Sequence, residues 1–144
     1  MIDFLPGIRS TSSALQAERV RMEVIAQNIA QANTIHGIDG KPYQRQEVVF
    51  ESVLNQQQGG NGTSGSLGQT VQVARIQKDT RPPRLIYNPG SPDADANGMV
   101  AMPNISVHEE MADLIASSRA YEANLAVART SRAMAMQSLA MGKA

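Results

Sequence analysis

Residues 104 to 142 place apolar side chains on more than one face of a single long helix, and this constrains the fold more than any other feature of the chain. One seam runs Met111, Leu114, Ser118, Tyr121, Leu125, Ala128, Ala135 and Leu139, interrupted by Arg132. A second runs Ala116, Ala120, Ala123, Val127, Met134 and Met141. One partner helix covers one seam, and a helix that is apolar on several faces is buried on several sides. In a chain of 144 residues the other side must come from other molecules. The plainer reading is that Ala forms helix well and tolerates water; the width of the apolar arc weighs against it. Ser106 followed by Glu109 fits a capping box. Glu109, Glu110 and Asp113 crowd the positive end of the helix dipole, and Arg129, Arg132 and Lys143 lie toward the negative end. Gly142 is the expected terminator.

A first helix is expected over residues 8 to 33. Ile8, Leu15, Met22 and Ile29 recur every seven residues, with Thr11, Glu18, Ile25 and Ala32 at the companion positions. The heptad is imperfect, because Thr11 and Glu18 are polar where a coiled coil takes Leu or Ile. Pro6-Gly7 bars a much earlier start, and the turn-forming run N-T-I-H-G-I-D-G-K-P, residues 33 to 42, ends the helix.

About 70 residues of another character separate the two helices. Residues 46 to 54, 70 to 76 and 84 to 87 read as strands; the second alternates as a half-exposed strand does. Residues 56 to 68, rich in Gly, Ser and Asn, form a flexible connection between the first two. The fold class is therefore α+β: long N- and C-terminal helices pair as an antiparallel coiled-coil hairpin, with a small β-rich insert projecting from it. The expected domains are 1–35 with 104–144, the helical part, and 36–103, the insert.

Composition agrees with helices packed side by side. There is no Trp, there are three Tyr and two Phe, and the apolar content is mostly Ala, Val, Ile, Leu and Met. A net charge of zero without a basic block argues against nucleic acid. No apolar run approaches the roughly 20 residues that span a bilayer. The start MIDFLPGIRS lacks a basic segment followed by an apolar one, so no cleavable secretory signal is expected.

Catalytic chemistry has no foothold. His36 and His108 are far apart and there is no Cys, so no metal site is expected. No G-x-S-x-G elbow and no phosphate-binding loop occurs. One stretch imitates a metal site: in D-A-D-A-N-G, Asp93, Asp95, Asn97 and Gly98 fall at the first, third, fifth and sixth places of an EF-hand loop. The twelfth place, where calcium needs a bidentate Glu, is Asn104, and Pro103 precedes it. Asp, Asn and Gly are ordinary turn formers. No enzyme activity, cofactor or small-molecule substrate is expected.

Three segments carry a family resemblance. N-I-A-Q-A-N-T at 28 to 34 with Y-Q-R at 43 to 45, Y-N-P-G-S-P-D-A-D-A-N-G-M-V-A-M-P-N-I at 87 to 105, and E-E-M-A-D-L-I-A-S-S-R-A-Y-E-A-N at 109 to 124 agree in order and spacing with the bacterial flagellar rod and hook family of axial proteins, which the chain resembles. The short insert and the Pro103-Asn104-Ile105 joint are similar to the proximal rod members.

The resemblance implies a structural subunit of the proximal rod of the flagellar basal body, which polymerises through its terminal helices into a helical tube that crosses the periplasm and transmits torque. It implies passage through the flagellar type III export apparatus without signal cleavage. The implied partners are copies of the chain itself, the rod proteins FlgB, FlgF and FlgG, and the rod-base protein FliE. The implied assembly interface takes Leu15, Met22, Ile25, Asn28, Ile29 and Asn33 from the first helix. From the second it takes Met111, Leu114, Ser118, Arg119, Tyr121, Asn124, Leu125, Val127, Met134 and Leu139. The loop signature comprises Pro89, Pro92, Asp95, Gly98, Pro103 and Asn104, with the prolines stiffening the approach and Gly98 taking a positive φ. The alternative is a soluble adaptor whose helical hairpin binds one partner helix in a groove.

Overall fold

The computed structural model describes residues 5–37, 39–55 and 68–142. Its elements run in the order α1 (Leu5–Ala30), β1 (Gln46–Asn55), β2 (Gly68–Lys78), β3 (Arg84–Tyr87), β4 (Met99–Met102) and α2 (Val107–Met141). The α+β class holds. Apart from Gly68, the Gly-rich connection lies outside the described residues, as does Lys143.

Helix α1 starts earlier than expected. Pro6 and Gly7 fall in its first turn, where proline's missing N–H would have no helical partner in any case. It ends at Ala30, and residues 31 to 33 form a turn. Helix α2 starts after Ser106, but the Ser106 side chain makes no capping hydrogen bond, so the expected capping box is not closed. At the other end Gly142 has ordinary right-handed angles (φ −79°, ψ −4°) and does not use the freedom of a glycine terminator.

The two helices pack against each other antiparallel, since the end of α1 meets the start of α2. Among the less exposed positions of α2 one series, which includes the two buried residues Glu110 and Ser117, recurs at alternating intervals of four and three: Glu110, Leu114, Ser117, Tyr121, Asn124, Ala128, Ser131 and Ala135. On α1 the buried residues are Ala17, Val24, Ile25 and Asn28, followed by Ala32 in the turn. The heptad expected on α1 is matched at its companion positions Ile25 and Ala32 but not at its main ones. Leu15, Met22 and Ile29 are half-buried and Ile8 is exposed.

β1 and β2 form a two-stranded antiparallel hairpin, and both strands pack on α1. The insert thus lies along the first helix where it was expected to project. Val48 and Phe50 line one cavity with Val24 and Ile25. Val71 and Val73 line another with Ala17 and Val20. The register slips between Val49 and Phe50, which leaves Ala74 as the extra residue of a β-bulge. Simple alternation would put Arg75 on the face of Val71 and Val73. The bulge turns Arg75 to the opposite face and brings Ile76 back into line with the two valines, opposite Val48.

β4 was not expected from the sequence. It pairs with β3 in a second two-stranded sheet, with Ile86 opposite the buried Val100. Pro103 and Ile105, both buried, carry the chain from there into α2.

Candidate functional site

The most buried place among the described residues is polar. Asn28 is fully enclosed at the end of α1, and its amide uses both its ends. Nδ2 donates to the Gln46 carbonyl (2.8 Å) and to Glu110 Oε2 (3.0 Å). Oδ1 accepts from the Gln46 N–H (2.9 Å) and the Tyr43 hydroxyl (3.1 Å). Toward Gln46 the side chain therefore pairs as a neighbouring strand would, with one donor and one acceptor, at the residue where β1 begins. Glu110, on the first turn of α2, is equally enclosed and takes the Arg45 guanidinium on Oε1 at 2.6 Å. A buried carboxylate needs such a partner. Burial, and then the Glu110 charge, push the Tyr43 phenol above its usual range. Asp79, just past β2, returns its N–H to the Arg45 carbonyl (2.8 Å), so the hairpin's exit is tied to its entry. This joint binds α1, α2 and the hairpin at one end of the molecule.

The outer surface of α2 has the opposite character. Its large apolar side chains are open to solvent: Met111, Ile115, Val127, Met134, Met136, Leu139 and Met141 are all about half exposed or more. At 100° per residue most of them fall into two stripes flanking the seam that faces α1. Met111 and Ile115 lie to one side near the start of the helix and Met136 far along the same side, with the exposed Glu122 and Arg129 between them. Ala116, Ala120, Ala123, Val127, Met134, Ser138 and Met141 lie to the other, without a charge among them. From Met136 to Gly142 every residue is exposed. The second stripe is contiguous, and contiguous exposed apolar surface marks an interaction face.

The residues expected at an interface thus divide. Ile25 and Asn28 are buried among the chain's own elements. Leu15, Met22, Ile29, Leu114, Ser118, Tyr121, Asn124 and Leu125 are half-buried. Asn33, Met111, Arg119, Val127, Met134 and Leu139 are exposed. Sequence reasoning missed Ile115 and Met136 as exposed apolar residues, and it missed the joint altogether. In the sequence Glu110 shows only as a charge at the positive end of a dipole.

The D-A-D-A-N-G stretch builds a turn. Asp95 Oδ1 accepts from the N–H groups of Asn97 (2.8 Å) and Met99 (2.9 Å), and its backbone pairs with Met99 and Gly98. Gly98 has φ +74°, and a Cβ there would lie 3.1 Å from both Pro89 and Tyr87 side-chain atoms. Asp93 faces His36 at 3.6 Å, which joins this loop to the turn after α1. Pro89 and Pro92 are exposed, Pro103 is buried and Asn104 half-buried. Among the described residues no three His, Asp or Glu side chains gather as a metal site would need, and no helix is long and apolar enough to cross a membrane.

Known proteins share the sequence of the end helices and of the insert. Residues 8–35 match the family model described as flagella basal body rod protein, and residues 96–141 match the one described as flagellar basal body rod FlgEFG protein C-terminal. The two matched segments contain most of α1 and all of α2. The flagellar basal-body rod protein FlgC of Yersinia enterocolitica is 41% identical, over 91% of this chain and 92% of its own length. FlgC of Salmonella typhimurium is 40% identical over the same shares. FlgC of Bacillus subtilis is 39% identical over 95% of this chain and 97% of its own. With identity at that level across insert and helices alike, the chain belongs to the FlgC family of flagellar basal-body rod proteins.

Proposed function

We propose that this chain is a structural subunit of the proximal flagellar rod, and that it polymerises through α1 and α2 into a helical tube that transmits torque. The observation that carries this reading is the pair of exposed apolar stripes on α2, one on each side of the seam that faces α1. A subunit inside a tube has neighbours on both flanks, and head-to-tail contacts that do not close into a ring make a filament. In the assembled rod the α1–α2 pair forms the helical domain of residues 1–35 and 104–144, wound as a coiled coil, and the insert of residues 36–103 is the second unit. Copies of the chain, FlgB, FlgF, FlgG and FliE are its neighbours. The chain reaches the periplasm through the type III export apparatus without a cleaved signal. Its role is mechanical and involves no catalysis.

Val127 tests this reading. It is exposed within the charge-free stripe, so Val127→Asp leaves the fold intact. In cells that carry only the variant, the expected result is normal protein level and thermal stability, no rod incorporation and no swimming. Leu125→Asp, at a half-buried position, also stops swimming but lowers stability as well. Swimming with Val127→Asp at wild-type speed would refute the multi-sided packing. An adaptor that binds one helix needs one apolar groove, and the second stripe has no role in it.

A further inference from the structure

The seam between the helices is poor at specifying its own alignment. On α2 the positions that recur every seven residues are Glu110, Ser117, Asn124 and Ser131, all polar. Of the companion positions, Ala128 and Ala135 are small, leaving Leu114 and Tyr121 as the larger side chains. On α1 the buried positions include Ala17 and Val24. Small side chains leave shallow holes, and a slip of seven residues, about 10 Å along the axis, presents much the same profile again. Ser117 sits in this seam with its hydroxyl buried and unpartnered, so hydrogen bonding there does not hold the alignment either.

We propose that Asn28 and Glu110 are positioning residues that set the axial register of α1 against α2, and so decide which part of α1 comes level with the outer stripes of α2. The physical reason is discrimination. A single buried Asn fixes register in coiled coils because every other alignment strands it. Here the demand is stricter. Glu110 must meet both Asn28 and Arg45, and the Asn28 amide is already held by Gln46. Slipped one way, α2 brings Ser117 to Asn28, and Arg45 loses its carboxylate. Slipped the other way, it brings Pro103, which lies before the helix begins. All of these contacts are within one chain, so register is set before any assembly. The inference therefore stands or falls independently of the rod reading.

The test is a pulsed electron-spin distance measurement on the full chain. The sequence has no Cys, so Ala26→Cys and Glu122→Cys, both exposed, take one nitroxide each. The expected result is one defined separation in the otherwise native chain. Glu110→Ala broadens it or adds a second peak while helix content is kept. Glu110→Ser combined with Ser117→Glu moves the carboxylate one heptad along α2. It is expected to create a population slipped by about 10 Å along the axis, which brings the labels closer together. Three results would overturn the proposal. One is an unchanged single separation in both variants. Another is a broad distribution in the native chain. The third is loss of helix in both variants by circular dichroism, which would make the two residues matter for stability alone.

Discussion

Asn28 and Glu110 stand 82 positions apart in the sequence and meet through a 3.0 Å hydrogen bond in the most enclosed part of the molecule. Around them the apolar core is thin: Ala17, Val24, Ile25, Ala32, Val100, Pro103 and Ile105 are the buried apolar residues among those described. Two of these are alanines with little area to bury. A fold with so little apolar burial leans on each well-made polar contact more than a thick core does. The joint also gives the molecule a polarity. One end ties three elements together. Toward the other end the second half of α2 carries mostly exposed side chains.

Removing the amide should show how much the joint holds. Asn28→Ala leaves the Gln46 N–H and carbonyl, the Tyr43 hydroxyl and one Glu110 oxygen without their partner. The expected loss is about 3 kcal/mol in urea denaturation. Asn28→Asp has nearly the same shape but gives up both donated bonds and sets a carboxylate about 3 Å from Glu110. It should cost at least as much. A stability for Asn28→Asp within about 0.5 kcal/mol of native, the range of ordinary surface changes, would mean that shape, not hydrogen bonding, fills the site.

Tyr43 makes the same joint sensitive to alkali. Burial and the Glu110 charge raise its phenol above the ordinary value of 10.0. The folded chain therefore keeps a proton that the unfolded chain has lost. That contribution to stability is fully present below pH 10 and is lost as pH rises through the raised folded value. Tyr43→Phe should cost about 1 kcal/mol at neutral pH, the worth of one hydrogen bond. Above pH 10 its melting temperature should fall less steeply than the native one. Parallel alkaline slopes for the two proteins would refute the assignment.

Much of this was legible in the sequence, and the failures have physical causes. The end helices show in their length and apolar spacing, and β1 to β3 show in their β-branched runs. The face of α2 that meets α1 does not show. Half its positions are Glu110, Ser117, Asn124 and Ser131, and apolar periodicity cannot find a polar seam. It found the half-exposed flank through Met111, Ser118 and Leu125 as well. On α1 the larger side chains Leu15, Met22 and Ile29 drew the reading away from the small Ala17 and the polar Asn28. β4 was hidden inside a stretch read as one loop. The bulge at Ala74 did leave a trace: V-Q-V-A-R-I breaks its alternation where Arg75 stands in place of an apolar residue.

Gly98 and Gly40 separate two costs of a side chain. Both have positive φ, at +74° and +68°. A Cβ at Gly40 meets open space, whereas at Gly98 it lies 3.1 Å from Pro89 Cβ and from Tyr87 Cε2. Gly40→Ala should therefore cost only the left-handed backbone term, about 1 kcal/mol. Gly98→Ala adds a clash with a proline ring that cannot swing away and should cost about 2 kcal/mol or more. Equal losses in chemical denaturation would show that the Asp95 turn relaxes freely and that its closeness to Tyr87 is unimportant.

Hydrogen exchange on the dilute chain should resolve the molecule's two ends. Protection follows local packing, because a helix without tertiary contacts opens at little cost. Amides around Asn28 and those just after Glu110 are held by the joint and should exchange slowest on the helices. From Met136 onward no side chain of α2 is even half-buried, so amides there should exchange within seconds. So should the first turns of α1, which lie beside the far half of α2 in the antiparallel pair. In an assembled rod the same amides should become protected, since neighbours then cover the exposed stripes. Uniform strong protection along α2 to Met141 in the free chain would mean that the helical pair is complete alone, and the single-partner adaptor would become the better account of those stripes.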